Sequence, residues 1–205
     1  MTLNLNNFES SSVPSNDFSL IPAGTVARAI VTVKPGTHVM EMFGKTQSFH
    51  YSAQTKAKWV ELEFTIIGGE FDKRKVWDRL FVDGDKMNPN TNKPVAYEIG
   101  MSTLRAMIDS INGLDPSDQS ENAQRLRNLN GIEDINGKEF CMKIGIKKGT
   151  NGYEDSNKLM VALTPKDADY IGGSVGGNTA PPNPSPINQG GGGQAPQGNV
   201  PSWAK

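Results

Sequence analysis

Residues that could carry out catalysis are sparse in this chain of 205 amino acids. The two histidines, His38 and His50, have no cysteine or paired carboxylate near them at metal-ligand spacing. The sequence also contains no phosphate-binding loop, nucleophile elbow or dinucleotide fingerprint. We therefore expect a protein that is not an enzyme and that has no metal site and no cofactor.

Scattered carboxylates are the feature that most favours an enzyme. Carboxylates can bind a divalent cation. The candidates here are Glu61, Glu63, Asp72, Asp78, Asp83 and Asp85. Their spacing follows no metal-binding motif, and solvated strand faces commonly carry such residues. A nuclease or other metal-dependent enzyme is therefore the least favoured of three functions that the sequence leaves open.

Cations and aromatic residues are unevenly distributed along the chain. The 21 Lys and Arg nearly balance the 22 Asp and Glu, so overall charge gives no argument for a polyanionic partner. Residues 24–81, however, contain 9 basic and 6 acidic side chains, whereas residues 98–137 contain 3 and 7. This distribution predicts a locally basic face.

The basic region is interleaved with aromatic residues, a combination that suits single-stranded nucleic acid. Ammonium and guanidinium groups bind phosphates, and exposed rings stack on unpaired bases of any sequence. The predicted single-stranded DNA contacts are Arg28, Lys34, Phe43, Lys45, Phe49, Tyr51, Lys56, Lys58, Trp59, Arg74, Lys75, Trp77, Arg79, Lys147, Lys148 and Tyr153. The alternative is that the tryptophans belong to the core or its rim, and that the other aromatics pin a loop.

Hydrophobic periodicity predicts the elements that position these residues. Period-two alternation predicts strands at 25–34, 58–69 and 138–147, a β-rich run ended by Asp83-Gly84 predicts another at 76–82, and a fifth is expected at 158–164, where Pro165 stops it. The second and third are expected to form a hairpin, and the connection 35–57, with its aromatics, is expected to be functional. Helical spacing predicts a helix capped by Ser102 and ended by Asn112-Gly113, then a polar helix over 118–129.

Three strands, a helical insertion and two strands are the element order of the OB-fold. We therefore predict a mainly β, five-stranded antiparallel barrel with the helices between strands three and four. In that fold the ligand lies on strands two and three and on the one–two and four–five loops. An α+β sandwich is the alternative arrangement of the same elements.

The two ends of the chain differ in composition from its centre. Residues 1–16 are a polar leader, and 17–171 have the composition of one globular domain. Residues 172–205 contain 9 of the 22 Gly and 6 of the 13 Pro, and this composition predicts a disordered tail. The tail ends in a short peptide with Pro201 and Trp203, which we predict to dock on a partner protein.

Cysteine usage and hydropathy indicate the compartment. Cys141 is the single cysteine, so an intramolecular disulfide is excluded, and the amino terminus lacks the pattern of a signal peptide. No apolar run approaches the ~20 residues that cross a bilayer. These features predict a cytoplasmic protein without a membrane anchor.

Several segments together resemble a known family. They are 17–24 (DFSLIPAG), 59–69, 74–80 (RKVWDRL), 99–105 (IGMSTLR), 137–147 and 152–158 (GYEDSNK). They are similar to a phage and prophage family long catalogued as a domain of unknown function and regarded as phage single-stranded DNA-binding proteins. The resemblance covers roughly residues 16–170. It implies a role in phage DNA replication or recombination in a bacterial cytoplasm, with Trp77 and Arg79 on the ligand face.

The sequence thus favours a sequence-tolerant single-stranded DNA-binding protein that recruits a replication or recombination protein through its tail. The alternative hypothesis is a protein interaction module. Such a module would belong to a phage replication or recombination complex without contacting DNA directly. The sequence is compatible with a monomer or a homo-oligomer, and with RNA as well as DNA as the single strand.

Overall fold

A computed structural model of the chain describes residues 19–42, 44–150 and 152–172. The polar leader, Phe43 and the tail with Pro201 and Trp203 therefore lie outside the described residues. The described elements are β1 (Val26–Lys34), β2 (His38–Met42), β3 (Lys45–Tyr51), β4 (Lys58–Ile67), β5 (Lys75–Asp83), β6 (Met87–Asn88), β7 (Lys93–Pro94), α1 (Val95–Asn112), α2 (Glu121–Arg127), a 3₁₀ turn (Ile132–Ile135), β8 (Glu139–Lys147) and β9 (Ser156–Leu163).

The strands form because alternate residues along them are apolar. In β4, Val60, Leu62, Phe64 and Ile66 are all buried, as the alternation predicts. The corresponding positions of β1 are also buried and join the same core, as do Val76, Leu80 and Val82 of β5, whereas Asp78 on the same face of β5 is only half-buried. The intervening residues of all three strands consequently share the opposite, outer face of the sheet.

All pairings in the main sheet are antiparallel, and their order is β5, β4, β1, β8, β9. The predicted mainly β, antiparallel architecture, the hairpin of β4 and β5, and the helices between β5 and β8 are confirmed. The sheet is not closed by backbone pairing, because β5 and β9 pair only with β4 and β8. These two edges approach each other where the Leu159 amide donates to Oδ2 of Asp78 at 3.0 Å.

The connection between the first two predicted strands is more regular than the sequence suggests. It contains the β2–β3 hairpin, and β3 continues into the sheet by pairing His50 with Trp59 of β4. The Ile132 amide donates to Oε1 of Gln47 at 2.8 Å, which ties the hairpin to the 3₁₀ turn. Because β3 has polar residues on both faces, its sequence lacks the apolar–polar alternation that predicts a strand.

Helix α1 begins earlier than predicted. Its first residue is Val95 and its N-cap is Pro94, so Ser102 lies inside the helix and caps nothing. Gly100 suggests a break in the sequence, but the helix needs it, because a Cβ there would lie 1.7 Å from the Phe81 carbonyl oxygen. The helix ends as predicted, with Gly113 in the left-handed conformation at φ 61°.

A buried carboxylate organises the segment after α1. Asp109 is 1% exposed and accepts from Arg105 Nε at 2.9 Å and from Arg127 Nε at 2.6 Å. Arg127 also donates to the backbone carbonyls of Asp115 and Asp118. These contacts hold α2 against α1, and α2 is shorter than the predicted helical stretch because Ser120 caps it.

Within the described residues, no helix combines the length and the apolar character that crossing a membrane would require.

Candidate nucleic-acid interface

The outer face of β4 and β5 brings together side chains that the sequence separates. The register places Glu63 opposite Trp77, Glu61 opposite Arg79, and Trp59 opposite Phe81. Cross-strand neighbours on one face of a sheet lie close enough to interact directly. This face therefore presents alternating aromatic, basic and acidic groups.

One end of this face is organised around a carboxylate. Glu63 is 8% exposed, and its oxygens lie 2.9 Å from Lys75 Nζ and 3.0 Å from Lys34 Nζ. The Trp77 indole Nε1 donates to the same carboxylate at 3.1 Å. The hydrogen bond from Lys75, followed by those from Lys34 and Trp77, lowers the pKa of Glu63 to about 2 despite its burial. We call Lys34, Glu63, Lys75 and Trp77 the Glu63 cluster.

Trp77 is held by its edge while its ring remains accessible. The side chain is 59% exposed, which is unusual for a tryptophan, and the indole N–H is fixed on Glu63. A ring that is anchored through its polar atom and exposed on its π surface suits stacking on a planar partner. Of the two predicted tryptophan contacts, this one has the accessibility that stacking requires.

The other end of the face opens into a groove of about 330 Å³ between β5 and the β8–β9 hairpin. We call it the seam groove, and its lining includes Arg79, Phe81, Lys147, Lys158, the carboxylates of Glu61 and Asp78, and Trp77, which it shares with the Glu63 cluster. Within the described parts of the chain, Lys147 and Lys158 have no carboxylate within salt-bridge distance. Arg79 lies at 4.0 Å from Glu61 and 4.9 Å above the Trp59 ring.

Asp78 also lines the seam groove, but its carboxylate is hydrogen-bonded to backbone amides. Its oxygens accept from the amides of Arg79 at 2.8 Å and Leu159 at 3.0 Å. Burial raises the pKa of Asp78, while the nearby charges of Lys147 and Lys158 act in the opposite direction. The carboxylate thus joins the two sheet edges without making a salt bridge to either lysine.

The β8–β9 loop carries two further predicted contacts. Tyr153 is 81% exposed, so its ring is accessible. Lys148 Nζ pairs with Asp155 at 2.6 Å, and this hydrogen bond is the main cause of the lowered pKa of Asp155. Gly149 permits the tight loop, because a Cβ there would lie 1.8 Å from the Tyr153 carbonyl oxygen. The loop therefore presents an aromatic ring beside a cation that is already paired.

The predicted aromatic contacts in and beside the β2–β3 hairpin are mostly enclosed. Phe49 is 8% exposed, so its prediction as a stacking residue is corrected: the ring packs with His38 at 5.7 Å instead. Trp59 is half-buried between His50, with a centroid distance of 5.8 Å, and Phe81, at 6.1 Å. Tyr51, at 38% exposed, stays accessible.

The remaining predicted cations fall into two groups. Lys45 and Lys56 are exposed and make no salt bridge in the described residues. The others are engaged: Arg28 pairs with Glu139, Lys58 Nζ binds Asp83 at 2.7 Å, and Arg74 Nη2 donates to the Ser19 carbonyl at 2.7 Å. The Lys58 hydrogen bond also lowers the pKa of Asp83.

Phe81 and Lys158 line the seam groove, although the sequence did not predict them as contacts. The alternation of β5 places Phe81 on the same outer face as Trp77 and Arg79, and this signal was available. Lys158 begins the last predicted strand, and its position beside β5 depends on how the sheet curves. That proximity is a tertiary property, which strand periodicity does not encode.

Among the described residues, no group of three or more His, Cys, Asp or Glu is arranged to hold a metal ion. The expectation of a protein without metal or catalysis stays a prediction. The chain matches no protein-family model and no curated protein.

Proposed function

We propose that this chain is a sequence-tolerant single-stranded DNA-binding protein. The observation that carries the proposal is the seam groove, where the exposed ring of Trp77 meets Lys147 and Lys158, which make no salt bridge in the described structure. Phosphates bind such lysines without first displacing a carboxylate. An unpaired base stacks on the ring at the same time.

Single strands fit this groove better than a duplex does. Stacking on Trp77 needs a base whose face is free, and bases in a duplex are already stacked on their neighbours. Every base has a π surface, and phosphate contacts do not depend on sequence, so the resulting binding is tolerant of sequence. The protein would coat exposed strands and keep them unpaired.

The architecture that we propose for this function is an OB-fold whose edge strands, β5 and β9, are not paired with each other. The pairing of β1 with both β4 and β8, the β4–β5 hairpin and the α1–α2 insertion follow the OB-fold order. The seam groove would then lie beside the strand face and the last loop, which are the usual ligand-binding parts of that fold. A complete barrel would also require backbone pairing between β5 and β9.

The resemblance to phage single-stranded DNA-binding proteins supports a role in phage DNA replication or recombination. In that role the tail, with Pro201 and Trp203, would recruit a partner protein. Deleting residues 173–205 is expected to leave oligonucleotide affinity within about twofold, because the seam groove is retained. Pull-down of replication proteins from an infected host checks the recruitment, because the full chain should capture a partner that the truncated chain does not. Capture by both forms would contradict the role of the tail, and loss of oligonucleotide binding on deletion would contradict the assignment of binding to the seam groove.

Fluorescence anisotropy titrations test the proposed function. A labelled oligo(dT) is compared with duplex DNA, with single-stranded RNA and with duplex RNA over a series of salt concentrations. We expect preference for the single strand, with log affinity falling by about 0.7 per neutralised phosphate for each tenfold rise in salt. Equal binding to duplex DNA, or no binding at low salt, would contradict the proposal.

The second candidate function is a protein interaction module. It is favoured by an apolar hollow of about 570 Å³ that Phe81, Val95, Ala96 and Ile99 line. Exposed apolar surface of this kind is typical of protein docking sites. Absence of oligonucleotide binding, together with capture of a replication protein that Ile99→Asp abolishes, would favour this function.

A further inference from the structure

A second cavity, of about 420 Å³, continues from the seam groove between β5, β9 and α1. We call it the seam cleft. It shares Asp78, Arg79, Phe81 and Lys158 with the seam groove, so the two cavities adjoin along β5 and the start of β9. A ligand that lies in the groove therefore passes the mouth of the cleft.

The walls of the cleft differ from its mouth. Its inner surface is formed by the buried side chains of Leu62 and Phe64. Ile99 and Met160 form part of its lining and are 62% and 61% exposed. Such apolar walls give no compensation for the lost hydration of a phosphate, but they favour burial of a flat aromatic ring.

The cleft is open because β5 and β9 are not paired at this point, and α1 forms its third wall. Gly100 allows the helix to approach the Phe81 carbonyl, as described above, and Ala106 leaves space further along the helix. Ser102 also lines the cleft, and its hydroxyl makes no hydrogen bond within the described structure. A hydroxyl can donate or accept, so it can meet the edge of any base.

We propose that one nucleobase of the bound strand leaves the stack and inserts into the seam cleft. Its flanking phosphates stay at the mouth on Arg79 and Lys158. This inference rests on the proposed function and adds to it a base-accepting site separate from Trp77. Unstacking is least costly in a strand that is already unpaired, which is the substrate that the proposed function supplies.

Disulfide trapping tests whether a base reaches the cleft. Cys141 is the single native cysteine and is fully buried, so a thiol introduced by Met160→Cys is the accessible one. The probe is oligo(dT) with one thymine carrying a short tether that ends in a mixed disulfide. The introduced thiolate attacks the tether disulfide, forms a new S–S bond to the base and releases the small thiol.

The matched control is Val39→Cys, because Val39 is 71% exposed and lies on β2, away from the cleft lining. We expect trapping at least tenfold faster with Met160→Cys than with Val39→Cys. We also expect the advantage to disappear when the tether is placed on the terminal phosphate. Equal rates for the two cysteines, or equal rates for the two tethers, would overturn the inference.

Affinity measurements provide a second readout. Ile99→Asp places a charge in the cleft wall and is expected to weaken oligo(dT) binding by roughly 5- to 150-fold, the range for losing one stacked base. Val39→Asp, with the same change of charge, is expected to have less than a twofold effect. Unchanged affinity of Ile99→Asp would overturn the inference while leaving the proposed function standing. Failure of the unsubstituted protein to bind oligo(dT) would overturn both.

Discussion

The Glu63 cluster and the seam groove meet at Trp77 but differ in how their cations are paired. The cluster has two lysines and one carboxylate, and the groove has three cations, Arg79, Lys147 and Lys158, with the carboxylates of Glu61 and Asp78. Each region therefore carries the same formal charge. The difference is contact: both cluster lysines touch Glu63, whereas in the described structure both groove lysines lack a salt bridge.

This difference determines which cations contribute to binding a phosphate. Lys34 and Lys75 would have to give up contacts of 3.0 and 2.9 Å to a carboxylate that is ionised throughout the neutral range. Lys147 and Lys158 make no salt bridge in the described structure, so they would give up no direct ion pair. The distribution of contacts, and not the local count of charges, thus separates a structural cluster from a candidate binding surface.

Reversing the groove cations should give the largest effect. Lys147→Glu combined with Lys158→Glu replaces two phosphate ligands by repelling groups, and we expect at least a 100-fold loss of oligo(dT) affinity at low salt. Anisotropy titration measures the loss. The control is Lys138→Glu with Lys166→Glu, which makes the same change of charge at exposed positions outside the grooves. Equal losses in the two double variants would show that only net charge matters.

Removing the exposed ring should give the next largest effect. Trp77→Ala is expected to weaken binding by ~1–3 kcal/mol, because a stacking surface is lost. Trp77→Phe keeps a ring but loses the hydrogen bond to Glu63, so most of the affinity should remain. Thermal melting accompanies both titrations, since Trp77 is 59% exposed and its removal should leave the fold intact. An unfolded Trp77→Ala protein would show that the residue is a core residue instead.

Acid should destabilise the protein through the Glu63 cluster. The folded-state pKa of Glu63 is about 2, below its ordinary value of 4.5. A depressed folded pKa gives stability that is fully present above pH 4.5 and is lost as the pH falls towards 2. The free energy of unfolding, measured by urea denaturation across this range, should therefore fall less steeply for Glu63→Gln than for the unsubstituted protein. The same slope in both proteins would contradict the assigned role of Glu63.

Neutralising Glu63 should have the smallest effect on DNA binding, and in the opposite direction. Glu63→Gln leaves Lys34 and Lys75 without their carboxylate, so we expect oligo(dT) affinity at low salt to rise by a few-fold. Glu133→Gln removes an equal charge from an exposed position on the 3₁₀ turn and serves as the control. A loss of affinity in Glu63→Gln would contradict this expectation. It would mean that Glu63 contributes to binding by positioning Trp77, and that this contribution outweighs the release of the two lysines.

The sequence predicts the two faces of the strands well. The buried positions Val60, Leu62 and Phe64 follow from period-two alternation, because a half-buried strand has one face in the core. The same alternation places Trp77 and Arg79 on the outer face, where the structure has them. Local pattern was sufficient for these residues because their environment follows from the strand alone.

Contacts between elements are what the sequence could not supply. The burial of Glu63 depends on partners from β1 and β5, so it requires the register of three strands. The burial of Phe49 depends on how the β2–β3 hairpin folds back on the molecule. The seam cleft depends on an unpaired edge and on a helix that begins eight residues or so before its expected start. Each is a tertiary property of segments that are ordinary in themselves.

The most direct test compares the salt dependence of two neutral double variants. One is Lys147→Gln with Lys158→Gln in the seam groove, and the other is Lys34→Gln with Lys75→Gln in the Glu63 cluster. The plot of log affinity for oligo(dT) against log salt should lose about 0.7 of slope per phosphate contact removed, hence about 1.4 in the groove variant. The cluster variant should lose clearly less. Equal losses, or a larger loss in the cluster variant, would contradict the assignment of the groove as the phosphate-binding surface.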